Sequence, residues 1–541
     1  MRLLRVYIDG YRNLNNVEVK FDLDSLTTVV IGENGSGKSN LIEAIVEVFR
    51  AWDLGDQRFI RFEYQIEYSI RGTNVRIWGD RTAYHARIGG PEAPSGIYDV
   101  NIIGNPNKSG ISLGDHFPDL IFGYYSGNGR RLENLFDAHQ SRYYSVINRE
   151  RSEAEYQKAG LARRLFYCRP IHGVLALLSY LAKPSKDKDA KALLTEKLDI
   201  TGFHSALAHL KEPSWFSGSK IAAVREIGSL WGAHGPAGQC ARALKASAFH
   251  PLELEGSVVD DYRRKASREA QLACFLRDEK ALKSFASNYK TDQDMFAALE
   301  AADISDLFRD MIVWVTRKND DSGDISFSDL SDGERQLLMV LGLIRVSRGK
   351  EALFLLDEPD THLNPAWQLT YLDLIREWTE VAADEDKCQI IMTSHNPLTI
   401  AALTKKEVRV MQTAEDGQVK VSEPYADPRG MGFTSTLTEI FGLPSTLDPE
   451  TQKQIDDRNV LAQIDKRSEK QERMLIELND KLNRLGFMNE SREPLYQDFL
   501  KAWQDVRYAD KPPLTPDQIE ARHKAMQSLI KQLSEGKETA H

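Results

Sequence analysis

Three short runs of this 541-residue chain carry groups suited to cleaving a nucleoside triphosphate. The first, GENGSGKS, comprises Gly32, Glu33, Asn34, Gly35, Ser36, Gly37, Lys38 and Ser39. Its glycines let the backbone bend so that successive N–H groups point at phosphate oxygens, while Lys38 reaches the β/γ-phosphates and Ser39 ligates Mg²⁺. The second, LSDGERQ at 330–336, offers the Ser331 hydroxyl and the Gly333 backbone to a γ-phosphate, where a helix adds its positive N-terminal end. The third, LFLLDE at 353–358, ends an apolar strand on two carboxylates. Asp357 suits Mg²⁺ held through water, and Glu358 suits the polarisation of an attacking water. Downstream, CQIIMTSH delivers His395 to a strand tip, where motif order makes it a γ-phosphate sensor. The cofactors implied are ATP and Mg²⁺.

These groups work only if strands and helices bring them together. The GENGSGKS cradle must join a strand to a helix, and its flanks agree: 26–31 is apolar and β-branched, and Leu41, Ile42, Ile45, Val46 and Phe49 recur at helical spacing. Short strands are expected at 3–8, 17–21, 27–31, 60–70, 75–78 and 120–125, giving a first lobe over 1–150. Residues 151–310, rich in Ala, Leu, Lys and Glu, read as a mainly helical insertion. Leu175, Leu177, Leu178 and Leu181 mark one apolar helical face, and Ala270, Leu272, Phe275 and Leu276 another. Trp215, Phe216 and Trp231 read as core packing. The second lobe, 311–447, holds the later motifs. A charged helical tail, 448–541, carries a coiled-coil-like seam of Leu461, Ile464, Leu475, Leu478, Leu482 and Leu485, then a final helix capped by Thr515 with Pro516 at its first position. The seam is expected to serve assembly or partner capture.

The opening LLRVYIDGYRNLNNVEVKF, the EPDTHLNP run from Glu358 to Pro365 and the TSHNP around His395 resemble the SMC/RecF-like branch of ABC ATPases, which acts on nucleic acids and not in transport. The resemblance implies an α/β fold: an ABC-type P-loop ATPase head split by the insertion. It also implies that LSDGERQ faces another subunit's nucleotide, so that two copies sandwich ATP, with the EPDTHLNP loop and its Asn364 communicating across the sandwich. FGYYSGNGRRLENLFDAH, from Phe122 to His139, and GFTSTLTEIFGLPSTLD, from Gly432 to Asp448, are similar to the ATPase subunits of Septu antiphage systems (PtuA), including retron-associated forms. In that family the ATPase resembles a sensor and scaffold, and a separate small HNH nuclease, PtuB, does the cutting. Reverse transcriptase and retron nucleic acid are further partners where a retron is present. A stand-alone RecF-like DNA-repair ATPase is the competing reading. A transporter ATPase is disfavoured, since about 290 residues separate Lys38 from Ser331.

Other features narrow the classes. A formal charge of −10 argues against coating of nucleic acid by the whole surface. Local basic groups remain at Arg130 and Arg131, Arg163 and Arg164, and Arg263 to Arg268; such groups are commonly solvated helix faces. No apolar stretch approaches the roughly 20 residues that span a bilayer, and the start lacks a signal-peptide core, so a cytoplasmic, membrane-free protein is expected. Cys168, Cys240, Cys274 and Cys388 form no CxxC pair, which indicates neither a disulfide frame nor a zinc site. No DxD pair follows His395, and Asp384 with Asp386 falls before the switch strand, so a nuclease centre is not expected here. The glutamine that normally ends a first-lobe strand and ligates Mg²⁺ is missing: 120–125 leads into Ser126, Gly127 and Asn128, with Gln140 a distant candidate. Slow turnover or stable ATP binding is the implied consequence.

Overall fold

The computed structural model describes residues 1–485, apart from 90–97, 104–112, 128, 184–192, 217–226, 260–262, 264, 319, 347–349, 383–387, 415–416, 444, 463 and 465. The Asp384/Asp386 pair and the proposed final helix therefore lie outside the described residues. The chain divides into two compact units, Met1–Pro444 and Ser445–His541.

In the first unit the strands are β1 (Arg2–Asp9), β2 (Val17–Lys20), β3 (Thr27–Gly32), β4 (Glu63–Ile70), β5 (Thr73–Gly79), β6 (Ala83–Gly89), β7 (Tyr98–Ile103) and β8 (Leu120–Tyr125). They continue with β9 (Leu165–Tyr167), β10 (Ile200–Lys211), β11 (Leu252–Val258), β12 (Ser267–Leu276), β13 (Phe308–Arg317) and β14 (Asp320–Ser326). The last four are β15 (Ala352–Asp357), β16 (Cys388–Thr393), β17 (Val408–Thr413) and β18 (Val419–Ser422).

A seven-stranded sheet of order β18-β17-β3-β16-β15-β8-β9 is the centre of the unit. Every pairing from β17 to β9 is parallel, and only β18 runs antiparallel. β3, β15 and β16 are buried at every position, as strands covered on both faces must be. Successive residues feed two cores: Val30, Leu353, Leu355 and Ile391 pack on one face, and Val29, Ile31, Phe354 and Leu356 on the other.

The first core is closed by helix Lys38–Leu54 and by an antiparallel sheet, β2-β1-β4-β5-β6-β7. Five of the expected early strands match β1, β2, β3, β5 and β8 closely. The fourth in the chain starts later than expected, because 57–59 forms a 3₁₀ turn before β4. β6 and β7 extend this sheet beyond what the sequence pattern announced.

The 151–310 segment holds the strands β9, β10, β11 and β12 beside its helices. Leu175 to Leu181 do lie on a helix, Pro170–Ala182, but Ala270, Leu272, Phe275 and Leu276 belong to a strand, β12. β12 pairs with β10 and β11 in a second antiparallel sheet, β11-β12-β10-β13-β14. The apolar spacing in this stretch suits a helix, and distant pairing partners overrode it. Phe216 and Trp231 are buried, and Trp215 packs on the same core while its indole N–H donates to the Ser305 carbonyl at 2.8 Å.

The second unit contains helices Pro449–Ala462 and Glu469–Arg484, which pack on each other. Leu475 and Leu482 of the expected seam are buried, whereas Leu485 is exposed. Ser468, which interrupts the seam, is the N-cap of the second helix in a reciprocal capping box with Gln471. Among the described residues no helix is long and apolar enough to cross a membrane.

Candidate active site

Parallel alignment puts the C-terminal ends of β3, β16, β15 and β8 at one edge of the central sheet, with Asp357 opposite Thr393 on one side and Tyr125 on the other. That edge is where open α/β sheets bind ligands. After β3 the chain bends through Gly32, Gly35 and Gly37, with φ of 152°, 85° and 99°. A β-carbon on Gly37 would lie within 3 Å of the Leu14 and Asn13 side chains, so the cradle needs glycine for both conformation and room. Asn13 steadies the loop from the β1–β2 turn, its Nδ2 donating to the Gly35 carbonyl at 2.9 Å.

Helix Lys38–Leu54 then starts with Lys38 and Ser39 in its first turn. The Ser39 hydroxyl donates to Asp357 Oδ1 at 3.1 Å, joining residues 318 apart in sequence. Thr393 donates to the same carboxylate oxygen, and the Ser126 N–H donates to the Asp357 carbonyl at 3.2 Å. Burial pushes the Asp357 carboxyl up, while the Thr393 and Ser39 hydroxyls oppose the shift. Glu358 follows in a left-handed conformation, φ 54°, that non-glycine residues adopt at a cost of order 1–3 kcal/mol. Its Oε1 lies 2.9 Å from His395 Nε2, and this contact is the main cause that holds the Glu358 carboxyl below its usual range. Adjacent carboxylates are thus driven in opposite directions, the pattern of groups assigned to different tasks.

The remaining residues of interest fall in two groups. Glu33, Asn34 and Gly35 are exposed in the cradle loop, and Lys38 Nζ donates to the Gly32 and Glu33 carbonyls at 2.8 Å each. Ser331 and Gly333 stand elsewhere. Ser331 caps helix Asp332–Val346, donating its N–H to Glu334 at 2.7 Å, and Gly333 is in that helix's first turn. Three residues beyond Gly333, Gln336 accepts the His362 N–H at 3.3 Å, so this helix leans on the EPDTHLNP loop. Asn364 of that loop caps helix Pro365–Ala382 by accepting the Trp367 N–H at 2.9 Å. Lys38, Ser39, Asp357, Glu358 and His395 therefore come together in one chain, and Ser331, Gly333 and Asn364 form a second group built on the LSDGERQ helix and the loop.

Sequence reading missed several supports. Asp360 is buried and receives the Ser394 hydroxyl at 2.5 Å and the Thr399 hydroxyl, which locks the loop after Glu358 to the strand end before His395. Glu43, Arg12, Asn40 and Arg131 form a charged cluster beside Ser39 that no spacing rule announces. Arg163 is buried in an ion pair with Glu300 at 2.7 Å instead of lying on a solvated face. Among the described residues no group of three His, Cys, Asp or Glu could hold a metal ion by itself.

A family model described as "AAA ATPase domain" matches residues 1–67, and one described as "AAA domain, putative AbiEii toxin, Type IV TA system" matches 244–401. Between them they span the GENGSGKS, LSDGERQ, LFLLDE and EPDTHLNP runs and His395, but neither 122–139 nor 432–448. The chain is similar to "Septu protein PtuA" of Bacillus mycoides (strain KBAB4), 27% identical over 29% of this chain and 22% of the relative. It is similar also to "Septu protein PtuA" of Bacillus thuringiensis, 28% identical over 32% of this chain and 48% of the relative. The matched segments thus span less than half the length of either. "Retron Vc95 probable ATPase" of Vibrio cholerae serotype O1 biovar El Tor is 24% identical over 81% of this chain and 78% of that protein. The chain is an ATPase similar to PtuA. A solved structure of "the recombination mediator protein RecF-ATP in RecFOR pathway" covers 78% of this chain and 97% of its own at 14% identity, with a TM-score of only 0.27. The global superposition is loose and carries no weight in the ATPase reading.

The residues fit a nucleotide with its metal. The buried Ser36 hydroxyl in the cradle has no protein hydrogen-bond partner, and the Lys38 amine lies in the same cradle, donating to the Gly32 and Glu33 carbonyls. Burial pulls the Lys38 amine down to about 8 against the opposing pull of Glu358, Asp357 and Glu33. The amine therefore loses its proton as pH rises through that value, whereas a bound phosphate favours the charged form. Nucleotide binding should take up a proton above about pH 8, with affinity falling by about tenfold per pH unit well above it. Calorimetry in two buffers of different ionisation heat measures the uptake; identical heats in both would show that Lys38 stays charged.

Proposed function

We propose that this chain is the ATP-binding and ATP-hydrolysing sensor and scaffold subunit of a Septu or retron-associated Septu antiphage system, controlling a partner HNH nuclease. The observation that carries the catalytic part is the Glu358–His395 pair at 2.9 Å, next to an Asp357 that already holds Ser39. Gly32 to Ser39 form the phosphate cradle, in which inward N–H groups and Lys38 neutralise the β/γ-phosphates. Ser39 and Asp357 would hold Mg²⁺, whose contribution is to offset charge on the transferring phosphate. Glu358, kept ionised by its histidine contact, takes a proton from the attacking water; His395 orients the carboxylate and senses whether a γ-phosphate is present.

Ser331 is exposed at the start of its helix and makes no hydrogen bond to the cradle, which supports a head-to-tail pair of copies in which each supplies the second half of the other's site. Asn364 and the Asp360-anchored loop join the two halves. The Septu and retron names of the relatives, together with the 122–139 and 432–448 segments, support the defence setting. Partners in this reading are a second copy, a PtuB-like HNH nuclease and, where a retron is present, its reverse transcriptase and nucleic acid.

Glu358→Gln should slow hydrolysis by roughly 10²–10⁴-fold while ATP stays bound, because an amide hydrogen-bonds water but takes no proton. Single-turnover assays decide this: a native rate would assign the base elsewhere. Ser331→Arg should abolish ATP-dependent self-association, measured by light scattering, without weakening ATP binding by one chain. Association at the native ATP concentration would refute the head-to-tail arrangement.

A further inference from the structure

No glutamine ends β8, yet the loop that follows it is fastened to the site at both ends. At its start the Ser126 N–H bonds the Asp357 carbonyl, and the Ser126 hydroxyl lies 3.5 Å from the Thr361 hydroxyl. At its far end Phe136, fully buried, lays its ring over β8 at Gly123, where a β-carbon would stand 2.4 Å from the ring. Between these points Arg131 Nη2 reaches Glu43 Oε1 at 3.0 Å and Asn40 Oδ1 at 2.8 Å.

Both acceptors are on the phosphate-binding helix. Asn40 follows Ser39 directly, and Glu43 is one turn further along the same face as Ser39. The Glu43 side chain is only 4% exposed. Burial pushes its carboxyl up, and the opposing effects are led by Arg12, whose Nη2 is 2.8 Å from Oε2 and whose Nη1 donates to Asn40 at 3.1 Å. A buried carboxylate is tolerated only with such partners. Arg12 itself takes a left-handed φ of 55°, a strained conformation that marks the turn as set by its contacts.

The same loop also faces the second half-site. Tyr125, Ser126 and Arg130 line one wall of a cavity of about 720 Å³ whose other walls include Arg335, Gln336 and His362. Any drift of the loop would be felt at the metal end of β15 and on the LSDGERQ helix alike.

We propose that Arg131 is a positioning residue for ATP hydrolysis: through Glu43 and Asn40 it ties the loop after β8 to the phosphate-binding helix, and so holds Ser126 against Asp357. A guanidinium cannot ligate a cation, so Arg131 does not replace the missing glutamine as a metal ligand. It replaces the constraint that such a ligand would impose. The inference rests on the ATP-site reading given above.

The test compares Arg131→Ala and Arg131→Lys with the native chain. Without nucleotide, Arg131→Ala should speed hydrogen exchange at the Ser126 amide by about tenfold, since that N–H bond loses its support. With ATP, the same variant should lower kcat by about 10²-fold at unchanged affinity, the effect of a small misplacement in the site. Arg131→Lys should restore the exchange protection and part of kcat, because an ammonium meets Glu43 but cannot span both acceptors. Native exchange and native kcat in Arg131→Ala would overturn the proposal, as would a parallel loss of kcat and affinity. If Arg131→Ala does not fold, Arg131→Lys decides by the same split between kcat and affinity. Faster Ser126 exchange in a variant of a chain that hydrolyses no ATP would uphold the tie and refute the site reading instead.

Discussion

The hydrogen bond from Ser39 to Asp357 is the contact on which the rest of this structure depends, because it closes a site from two segments 318 residues apart. Nothing local brings them together. They meet because β3, β16 and β15 lie side by side and parallel, so that three strand ends reach one edge with Val30, Thr393 and Asp357 in register. Such a sheet forms only if both faces are covered, and the mainly apolar central strands, buried at every position, serve that burial. Each fully buried Leu, Ile or Phe contributes about 1.5–3 kcal/mol, so the sheet's core can sustain costs at its edge.

Those costs are visible. Asp357 and Asp360 are buried carboxylates, each held by hydroxyls of the β16 end or of the residues just after it. Glu358 is placed by a left-handed backbone turn, and Lys38 is a buried amine whose proton is weakly held. Each choice opposes folding and favours a fixed arrangement of charge, which is what phosphoryl chemistry rewards. Holding Asp360 by Ser394 and Thr399 also links the loop after Glu358 to the residues flanking His395, so a shift in one is transmitted to the other.

The legible part of the fold was the part with continuous chemistry. Strands β3, β15 and β16 each carry a short apolar run, VVI, ALFLL and IIM, next to motif residues, and their flanks placed Ser39, Asp357 and His395 on strand and helix ends. β12 was misread because its Ala, Leu, Cys and Phe suit a helix, and its strand character is imposed by pairing with β10, more than 60 residues earlier at His209 and Ala273. The tie from Arg131 to Asn40 spans 91 residues, and the arginine pair at 130–131 looks from sequence like a solvated basic patch. What the sequence hides here is partnership: a charge can be recognised, but the group that neutralises it is fixed only by the fold.

A double-mutant cycle on Ser39→Ala and Asp357→Asn, read as the Mg²⁺-dependent part of ATP affinity, tests most directly whether the two segments form one metal-binding unit. The account predicts that each single change removes most of the Mg²⁺ dependence and that the double variant loses little more, a coupling of at least 1 kcal/mol on the order expected for groups in contact. Losses that simply add would mean that Ser39 and Asp357 act independently, and would contradict the site described here.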